Sequence, residues 1–148
     1  MMRAWAARGK MTKLGGPKAA KGGNMKRHPF LLTISRQHHM PLRVSEHLLR
    51  HPEEDGEAAL LKEKDSLLSH FDLEEESLAD LWAKLPPDLG PALKRRFLDD
   101  HEYFRGHFDK LGDRAEAEAF AQRLIDHVRF EERELFAALQ EHCLPPAP

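Results

Sequence analysis

The chain has 148 residues, of which 41% are hydrophobic and 32% charged, a composition typical of one soluble helical domain with its own core. It contains no apolar run of the roughly 20 residues that cross a bilayer and no secretory signal, so we expect a cytoplasmic protein without membrane contact. Cys143 is the only cysteine, which excludes an intrachain disulfide and agrees with a reducing compartment.

Positive charge is concentrated at the amino end. Residues 1–27 hold eight of the 23 Lys/Arg and none of the 25 Asp/Glu, so the rest of the chain is acidic. A basic arm can contact nucleic acid or membrane phosphates, but this stretch is rich in Gly, Ala and Lys and has no apolar face. We therefore predict a basic, disordered tail at residues 1–25, no nucleic-acid partner, and a folded domain at residues 26–148.

Four helical segments follow in chain order, separated by proline and glycine, at about residues 30–50, 57–85, 88–112 and 114–143. Pro86 and Pro87 end the second segment because proline lacks the amide donor. Asp88 and Asp113 are candidate N-caps of the third and fourth segments, and Gly112 suits the end of the third. Short connections make neighbouring helices antiparallel. The predicted fold is therefore all-α, an up-down-up-down antiparallel four-helix bundle.

Each segment has an apolar stripe at alternating steps of three and four residues, and histidine interrupts every stripe. The polar residues at these interruptions are His38 with its neighbour His39, His70, Glu74, His101, His127 and Glu131. Burying a carboxylate without a partner costs several kcal/mol or more, and no Lys or Arg lies on the stripes at the same level. A bound metal cation would neutralise the two glutamates.

The local spacing also favours metal binding. Both His70–Glu74 and His127–Glu131 have the pattern His-x-x-x-Glu, and residues four apart share a helix face. At about 1.5 Å per residue, the candidate ligands of all four segments lie roughly 15–25 Å from a connecting turn, in one layer. Imidazole with carboxylate suits iron, manganese or zinc, and carboxylates on facing helices build two-metal centres in helix bundles.

Together these motifs resemble those of the hemerythrin-like HHE cation-binding domain, over nearly all of the chain after residue 25. The matching stretches are Met25-Lys-Arg-His-Pro29, Ser35-Arg-Gln-His-His39, His70-Phe-x-x-Glu74-Glu75, His101-Glu-Tyr-Phe104 and His127-x-x-x-Glu131-Glu132. The resemblance implies a four-helix bundle around a non-haem di-iron centre in which the two glutamates bridge the irons. The implied ligands are His38 or His39, His70, Glu74, His101, His127 and Glu131.

Two departures from the oxygen-carrying hemerythrins bear on function. Those proteins have a second histidine four residues after the one on their third helix, where this chain has Arg105. Their last helix uses His-x-x-x-x-Asp, whereas this one has His-x-x-x-Glu. One imidazole fewer implies an additional open coordination position, which disfavours reversible oxygen storage. We expect two irons that interact with O2, NO or peroxide in sensing, storage or redox reaction, with an unidentified redox partner.

Several alternatives stay open at this point. Manganese and zinc use the same ligands, an enzyme that reduces peroxide or NO would share the site, and a metal-free helical interaction module is a third interpretation. The stripe favours His38, but a bulge of one residue would favour His39. We interpret Glu75 and Glu132 as salt-bridged surface residues rather than partners of the histidines. The sequence does not decide the oligomeric state.

Overall fold

The computed structural model describes residues 26–146, so the tail predicted for residues 1–25 lies outside the described residues. Every regular element between residues 26 and 146 is helical, without a strand, which confirms the all-α class. None of these helices is long and apolar enough to cross a membrane. The α-helices are α1 (Pro29–Arg36), α2 (His39–Arg50), α3 (Gly56–Lys62), α4 (Lys64–Leu78), α5 (Gly90–His107), α6 (Arg114–Phe130) and α7 (Phe136–His142).

Three short turns of other helix types connect or extend these helices. Two are 3₁₀ turns, Trp82–Lys84 after α4 and Phe108–Lys110 after α5. The third is a π-helical turn, Glu131–Leu135, which joins α6 to α7 without a loop. The first predicted segment is divided between α1 and α2, and the second between α3 and α4. The arrangement of these helices as a four-helix bundle stays a prediction.

The predicted helix ends are partly correct. Asp113 is the N-cap of α6, and its carboxylate accepts the backbone amides of Ala115 and Glu116. The N-cap prediction for Asp88 is wrong, because α5 begins at Gly90, so that Leu89, the residue after Asp88, is the N-cap and provides no side-chain cap. Gly112 lies beyond the 3₁₀ turn rather than at the end of α5, so the third segment ends earlier than predicted.

A close approach between α2 and α3 explains one glycine. A Cβ atom at Gly56 would lie 2.6 Å from Cγ of Leu48, a buried residue of α2. Any larger residue there would force the side chain of Leu48 to shift. Gly56 therefore allows the tight turn that brings α3 against α2.

The buried apolar side chains of the described residues form two large clusters. The Phe97 cluster contains Leu31, Ile34, Leu78, Leu81, Leu85, Leu93, Phe97, Phe130, Leu135, Phe136, Ala138 and Leu139. The Phe104 cluster contains Leu48, Leu60, Leu67, Phe71, Phe104, Phe108, Leu111, Ala117, Phe120, Ala121 and Leu124. On α5, His101 lies between Phe97 of one cluster and Phe104 of the other. A smaller third cluster consists of Leu42, Ile125 and Val128. The two large apolar regions of the core thus have a layer of polar residues between them.

Candidate metal centre

Six of the seven predicted ligand residues form this polar layer. His38 lies at the break between α1 and α2, the pair His70 and Glu74 on α4, and His101 on α5. The last two are His127, near the end of α6, and Glu131, which begins the π-helical turn. All six are buried, with exposed fractions of 0–7%. His39 is the exception, because its side chain is exposed outside the layer. Of the two alternatives on the first segment, the structure brings only His38 to the other candidates.

The six side chains form two groups that share both glutamates. Site 1 consists of His38, His70, Glu74 and Glu131, and site 2 of Glu74, His101, His127 and Glu131. Within each site, one ligand atom per residue lies within 4.8 Å of all the others. These buried His/Glu groups could hold a metal ion.

Glu74 presents one carboxylate oxygen to each site. Its Oε2 atom lies 2.9 Å from Nε2 of His70 and 3.2 Å from Nε2 of His38. Its Oε1 atom lies 3.0 Å from Nε2 of His101. One carboxylate therefore faces both pairs of histidines.

Glu131, at the start of the π-helical turn, also presents one carboxylate oxygen to each site. Its Oε1 atom lies 2.8 Å from Nε2 of His38, in site 1. Its Oε2 atom lies 3.0 Å from Nε2 of His127 and 3.8 Å from Nε2 of His101, in site 2. The two glutamates are thus equivalent in their placement between the sites.

Glu74 forms hydrogen bonds with Nε2 of His38 and Nε2 of His101, but the remaining contacts of the layer fit a cation better than hydrogen bonds. Nε2 of His70, Nε2 of His127 and both carboxylate oxygens of Glu131 are fully buried and make no hydrogen bond with acceptable angles, although their neighbours lie at 2.8–3.0 Å. Around a divalent cation with ligand bonds of about 2.1 Å, neighbouring ligand atoms at right angles lie about 3.0 Å apart. The observed separations match this distance.

The Nδ1 atom of every histidine in the layer has an acceptor on a different segment. The bonds run from His70 to Gln37 (2.7 Å), from His101 to Glu75 (2.7 Å), from His127 to Asp100 (2.9 Å) and from His38 to Glu132 (2.7 Å). Each acceptor is adjacent in sequence to a residue of the layer. Each of the first three segments provides the acceptor for the histidine of the following segment, and the fourth segment provides the acceptor for His38 of the first. With Nδ1–H donating, Nε2 of each ring keeps its lone pair for a metal.

Arginines balance the charge of the three carboxylates among these acceptors. The pairs are Glu132 with Arg27 at 3.0 Å, Glu75 with Arg105 at 2.6 Å and Asp100 with Arg123 at 3.0 Å. Glu74 and Glu131 have no arginine or lysine partner among the ion pairs of the described residues. Their negative charge is therefore left for the histidines or for a metal.

The histidines and glutamates of the layer perturb each other's protonation. Burial lowers the pKa of His101, but the carboxylates of Glu131 and Glu74 outweigh burial and raise this pKa to about 10. Burial raises the pKa of Glu131, but the surrounding imidazoles outweigh it and lower this pKa well below its usual value. The pKa of His38 is likewise raised well above its usual value by carboxylates that outweigh burial. A metal ion would have to displace protons from these imidazoles, as metal binding to histidine generally does.

Two acidic residues differ from their sequence interpretation. Glu132 is buried and accepts a hydrogen bond from His38. Glu75 is only partly exposed and accepts one from His101, so neither is merely a surface residue. The π-helical turn explains Glu132, because its wider spacing of i to i+5 allows the consecutive residues Glu131 and Glu132 both to face inward.

Sequence analysis did not identify Gln37 and Asp100. Their position in the sequence could have identified them, because Gln37 directly precedes the candidate ligand His38 and Asp100 directly precedes His101. Arg105, where the resemblance would place a further histidine, bonds to Glu75 and Asp72 and provides no ligand atom to the layer.

A third group of ligand-type residues lies at the turn between α2 and α3. His51, Glu53 and Glu54 have ligand atoms within 4.8 Å of one another. Glu53 and Glu54 are exposed, and each forms an ion pair with a nearby histidine. Exposed groups of this kind are common in the absence of a metal, so we assign no site here.

Comparisons with known proteins found no protein-family model that matches the chain, no similar curated protein and no similar solved structure.

Proposed function

We propose that this chain is a non-haem di-iron protein of the hemerythrin-like kind, which binds O2, NO or peroxide at its metal centre. The observation that carries the proposal is the placement of Glu74 and Glu131. Each buried carboxylate presents one oxygen to the histidine pair of site 1 and the other to the histidine pair of site 2. Two cations bridged by two carboxylates would use all of these atoms.

The apolar clusters support the finer fold proposal, an up-down-up-down four-helix bundle. The Phe97 cluster contains residues from the start of the first segment, the end of the second, the start of the third and the end of the fourth. The Phe104 cluster contains the opposite ends. This alternation is what four consecutive antiparallel helices produce.

The charge balance supports two divalent cations. Within the layer, only the two glutamates are anions, and all four imidazoles are neutral when they ligate a metal. Two ferrous ions would more than neutralise two carboxylates, and the excess positive charge favours an anionic or polarisable small ligand. Manganese or zinc would satisfy the same donors.

The number of donors supports a role in ligand binding. Each site offers two imidazole nitrogens and two carboxylate oxygens, whereas octahedral coordination takes six ligands. When bound, the irons would supply Lewis acidity and one-electron chemistry to a small ligand. The chain's own residues do the rest, since the acceptors at Nδ1 orient the imidazoles and the two apolar clusters exclude water.

Ferrous reconstitution under anaerobic conditions tests this proposal. The loaded protein is exposed to O2, to NO and to hydrogen peroxide in separate visible-spectrum titrations, with the metal-free protein as control. A binding or sensing protein gives one stoichiometric spectral change, and an enzyme that reduces peroxide or NO consumes ligand over many turnovers when a reductant is added. No spectral change with any ligand in a fully loaded protein contradicts the proposal.

The alternative function is that of a protein-interaction module, a helical domain that binds another protein and contains no metal. It predicts that protein purified without added ions contains no metal and that iron does not change its thermal stability. The buried nitrogens and oxygens without hydrogen bonds count against it, because unsatisfied buried polar atoms are costly.

A further inference from the structure

A cavity outside the metal centre is lined by residues of α5 and α6. Its volume is about 530 Å³, and its charged wall residues are Arg95, Arg96, Asp99 and Asp100 of α5 and Arg123 of α6. None of the six layer residues lines it. Arginines outnumber carboxylates in this wall, although Asp and Glu outnumber Lys and Arg over residues 28–148. This arginine cavity is therefore positively charged on an otherwise acidic domain.

One of its two carboxylates is already balanced. Asp100 is buried, and its two oxygens accept hydrogen bonds from Nδ1 of His127 at 2.9 Å and from Nε of Arg123 at 3.0 Å. Nε of Arg96 lies 3.8 Å from the same carboxylate, which is too far for a hydrogen bond. Arg123 alone thus balances Asp100, and within the wall only the exposed Asp99 opposes the charges of the other two arginines.

The three guanidinium groups have many unused donors. Each guanidinium carries five N–H groups. Among the described residues, the side chain of Arg123 donates only through Nε, to Asp100, and that of Arg96 makes no hydrogen bond. The side chain of Arg95 is exposed and has neither a hydrogen bond nor an ion pair within residues 26–146. The wall therefore offers more N–H donors than the chain itself uses.

Aromatic rings hold two of these guanidinium groups in place. Cζ of Arg96 lies 4.5 Å from the ring centroid of Phe130, and Cζ of Arg123 lies 4.4 Å from that of Tyr103. A ring contacts the face of the guanidinium plane, so the N–H groups at its edge stay available. An arginine that is already ordered loses less conformational entropy when it binds a ligand. The two groups are thus prepared to bind an anion.

A phosphate group is the anion that fits this arrangement. The planar fork of a guanidinium matches two phosphate oxygens, and a terminal phosphate has three oxygens to share among several arginines. A water molecule occupies about 30 Å³ in the liquid, so the cavity is much larger than one phosphate group. Pro91 and Ala92 give its wall an apolar part. The cavity therefore has room for a small organic group beside the phosphate.

We propose that the arginine cavity binds a small phosphorylated molecule, whose terminal phosphate group accepts hydrogen bonds from Arg95, Arg96 and Arg123. This binding site is separate from the proposed di-iron centre and does not require a bound metal. Arg123 nevertheless belongs to both, because it also balances Asp100, the acceptor of His127. Variants of Arg95 therefore test the proposal more cleanly than variants of Arg123.

Isothermal titration calorimetry with inorganic phosphate and with glycerol phosphate tests binding. The purified protein is titrated at constant ionic strength, set with chloride, so that screening of surface charges does not change. Glycerol phosphate should bind one per chain with a Kd of about 1 mM or tighter, and at least as tightly as inorganic phosphate. Binding of neither ligand, or of inorganic phosphate alone, overturns the proposal.

The variant Arg95→Ala locates the ligand. Arg95 is exposed, so its loss should leave the fold intact, and it should weaken glycerol phosphate binding about tenfold or more because hydrogen bonds between charged groups are lost. Arg43→Ala removes an exposed arginine of α2 outside the cavity and, as the matched control, should leave the affinity unchanged. Arg95→Lys keeps the charge without the fork and should recover only part of the affinity.

A second variant tests the sign of the charge effect. Asp99→Asn removes the carboxylate that opposes an anion in this wall, so glycerol phosphate should bind about two- to fivefold more tightly. Equal affinity in wild type, Arg95→Ala and Asp99→Asn overturns the proposal, because phosphate would then bind elsewhere, for example at a metal. An equal loss in Arg95→Ala and Arg43→Ala also overturns it, since only general attraction would remain.

Further outcomes separate this inference from its competitors. A single-stranded oligonucleotide that binds more tightly than glycerol phosphate, and that depends equally on Arg95, would overturn the proposal in favour of a nucleic-acid contact. Protein that contains no metal but binds glycerol phosphate through Arg95 would contradict the proposed function and support this inference. Protein with two irons and no affinity for glycerol phosphate would do the reverse.

Discussion

The hydrogen bond between His127 and Asp100 offers a quantitative test of the supporting residues. Nδ1 of His127 lies 2.9 Å from Oδ2 of Asp100, and both residues are buried. Asp100→Asn keeps the size of the side chain and one acceptor oxygen but removes the charge. Asp99→Asn removes the same charge from the neighbouring, exposed residue of α5 and is the matched control.

The expected size of the effect follows from that bond. A hydrogen bond to a charged group contributes roughly 1.5–3 kcal/mol and one between neutral groups roughly 1 kcal/mol, so the substitution removes about 0.5–2 kcal/mol. Since about 1.4 kcal/mol corresponds to a factor of ten, metal affinity at site 2 should fall about 2- to 30-fold. Site 1 keeps its donors and supports and should be unaffected.

Competition with a chromophoric chelator measures both affinities. Asp100→Asn should give one weakened and one unchanged binding step, and Asp99→Asn should match wild type. If Asp100→Asn binds both metals as tightly as wild type, or if both variants weaken binding equally, then the Asp100 bond does not tune a metal ligand and the reasoning is refuted.

Three further predictions concern the layer itself. The variants Glu74→Ala and His127→Ala should each lose at least half of the iron found by elemental analysis, whereas His107→Ala, outside the layer, should keep it. Full iron loading in all three variants contradicts the assignment of the metal site. Removal of the metal by a chelator should lower the melting temperature by roughly 10 °C. A metal at 100 times its Kd contributes about 2.7 kcal/mol, and 1 kcal/mol shifts the melting temperature of a domain of this size by about 4 °C. An unchanged melting temperature contradicts metal binding to the folded state. In the metal-free protein the pKa of His101 is raised to about 10, so its stabilising effect is complete below the unfolded value of about 6.5 and is lost as the pH rises through 10. Thermal unfolding of chelated protein should therefore show decreasing stability from pH 6.5 to 10. The lowered pKa of Glu131 adds a loss of stability in acid, below about pH 4.5. A stability that rises between pH 6.5 and 10 counts against ion pairs between the histidines and glutamates of the layer.

The sequence was sufficient for those parts of the site that depend on one helix at a time. His70 and Glu74 share a face of α4 because they are four residues apart, and this holds wherever the helix packs. His127 and Glu131 show the same regularity up to the start of the π-helical turn. Apolar stripes interrupted by these residues therefore predict a buried polar layer before any packing is known.

The rest depends on how the helices face one another. Whether Gln37 reaches His70, or Asp100 reaches His127, is set by the rotation of two packed helices, which the periodicity of either sequence alone does not fix. The inward position of Glu132 depends on a local π-helical turn, for which the sequence carries no strong signal. The choice between His38 and His39 depends on the break between α1 and α2, where the helical register is interrupted.

The metal content of the wild-type protein, purified without chelator or added ions and determined by elemental analysis, tests the central claim most directly. Two buried carboxylates that each face two pairs of histidines predict two iron, manganese or zinc ions per chain, and two irons if the proposed function is right. A folded protein that contains no metal, and takes up none when ferrous iron is added without oxygen, would contradict the account.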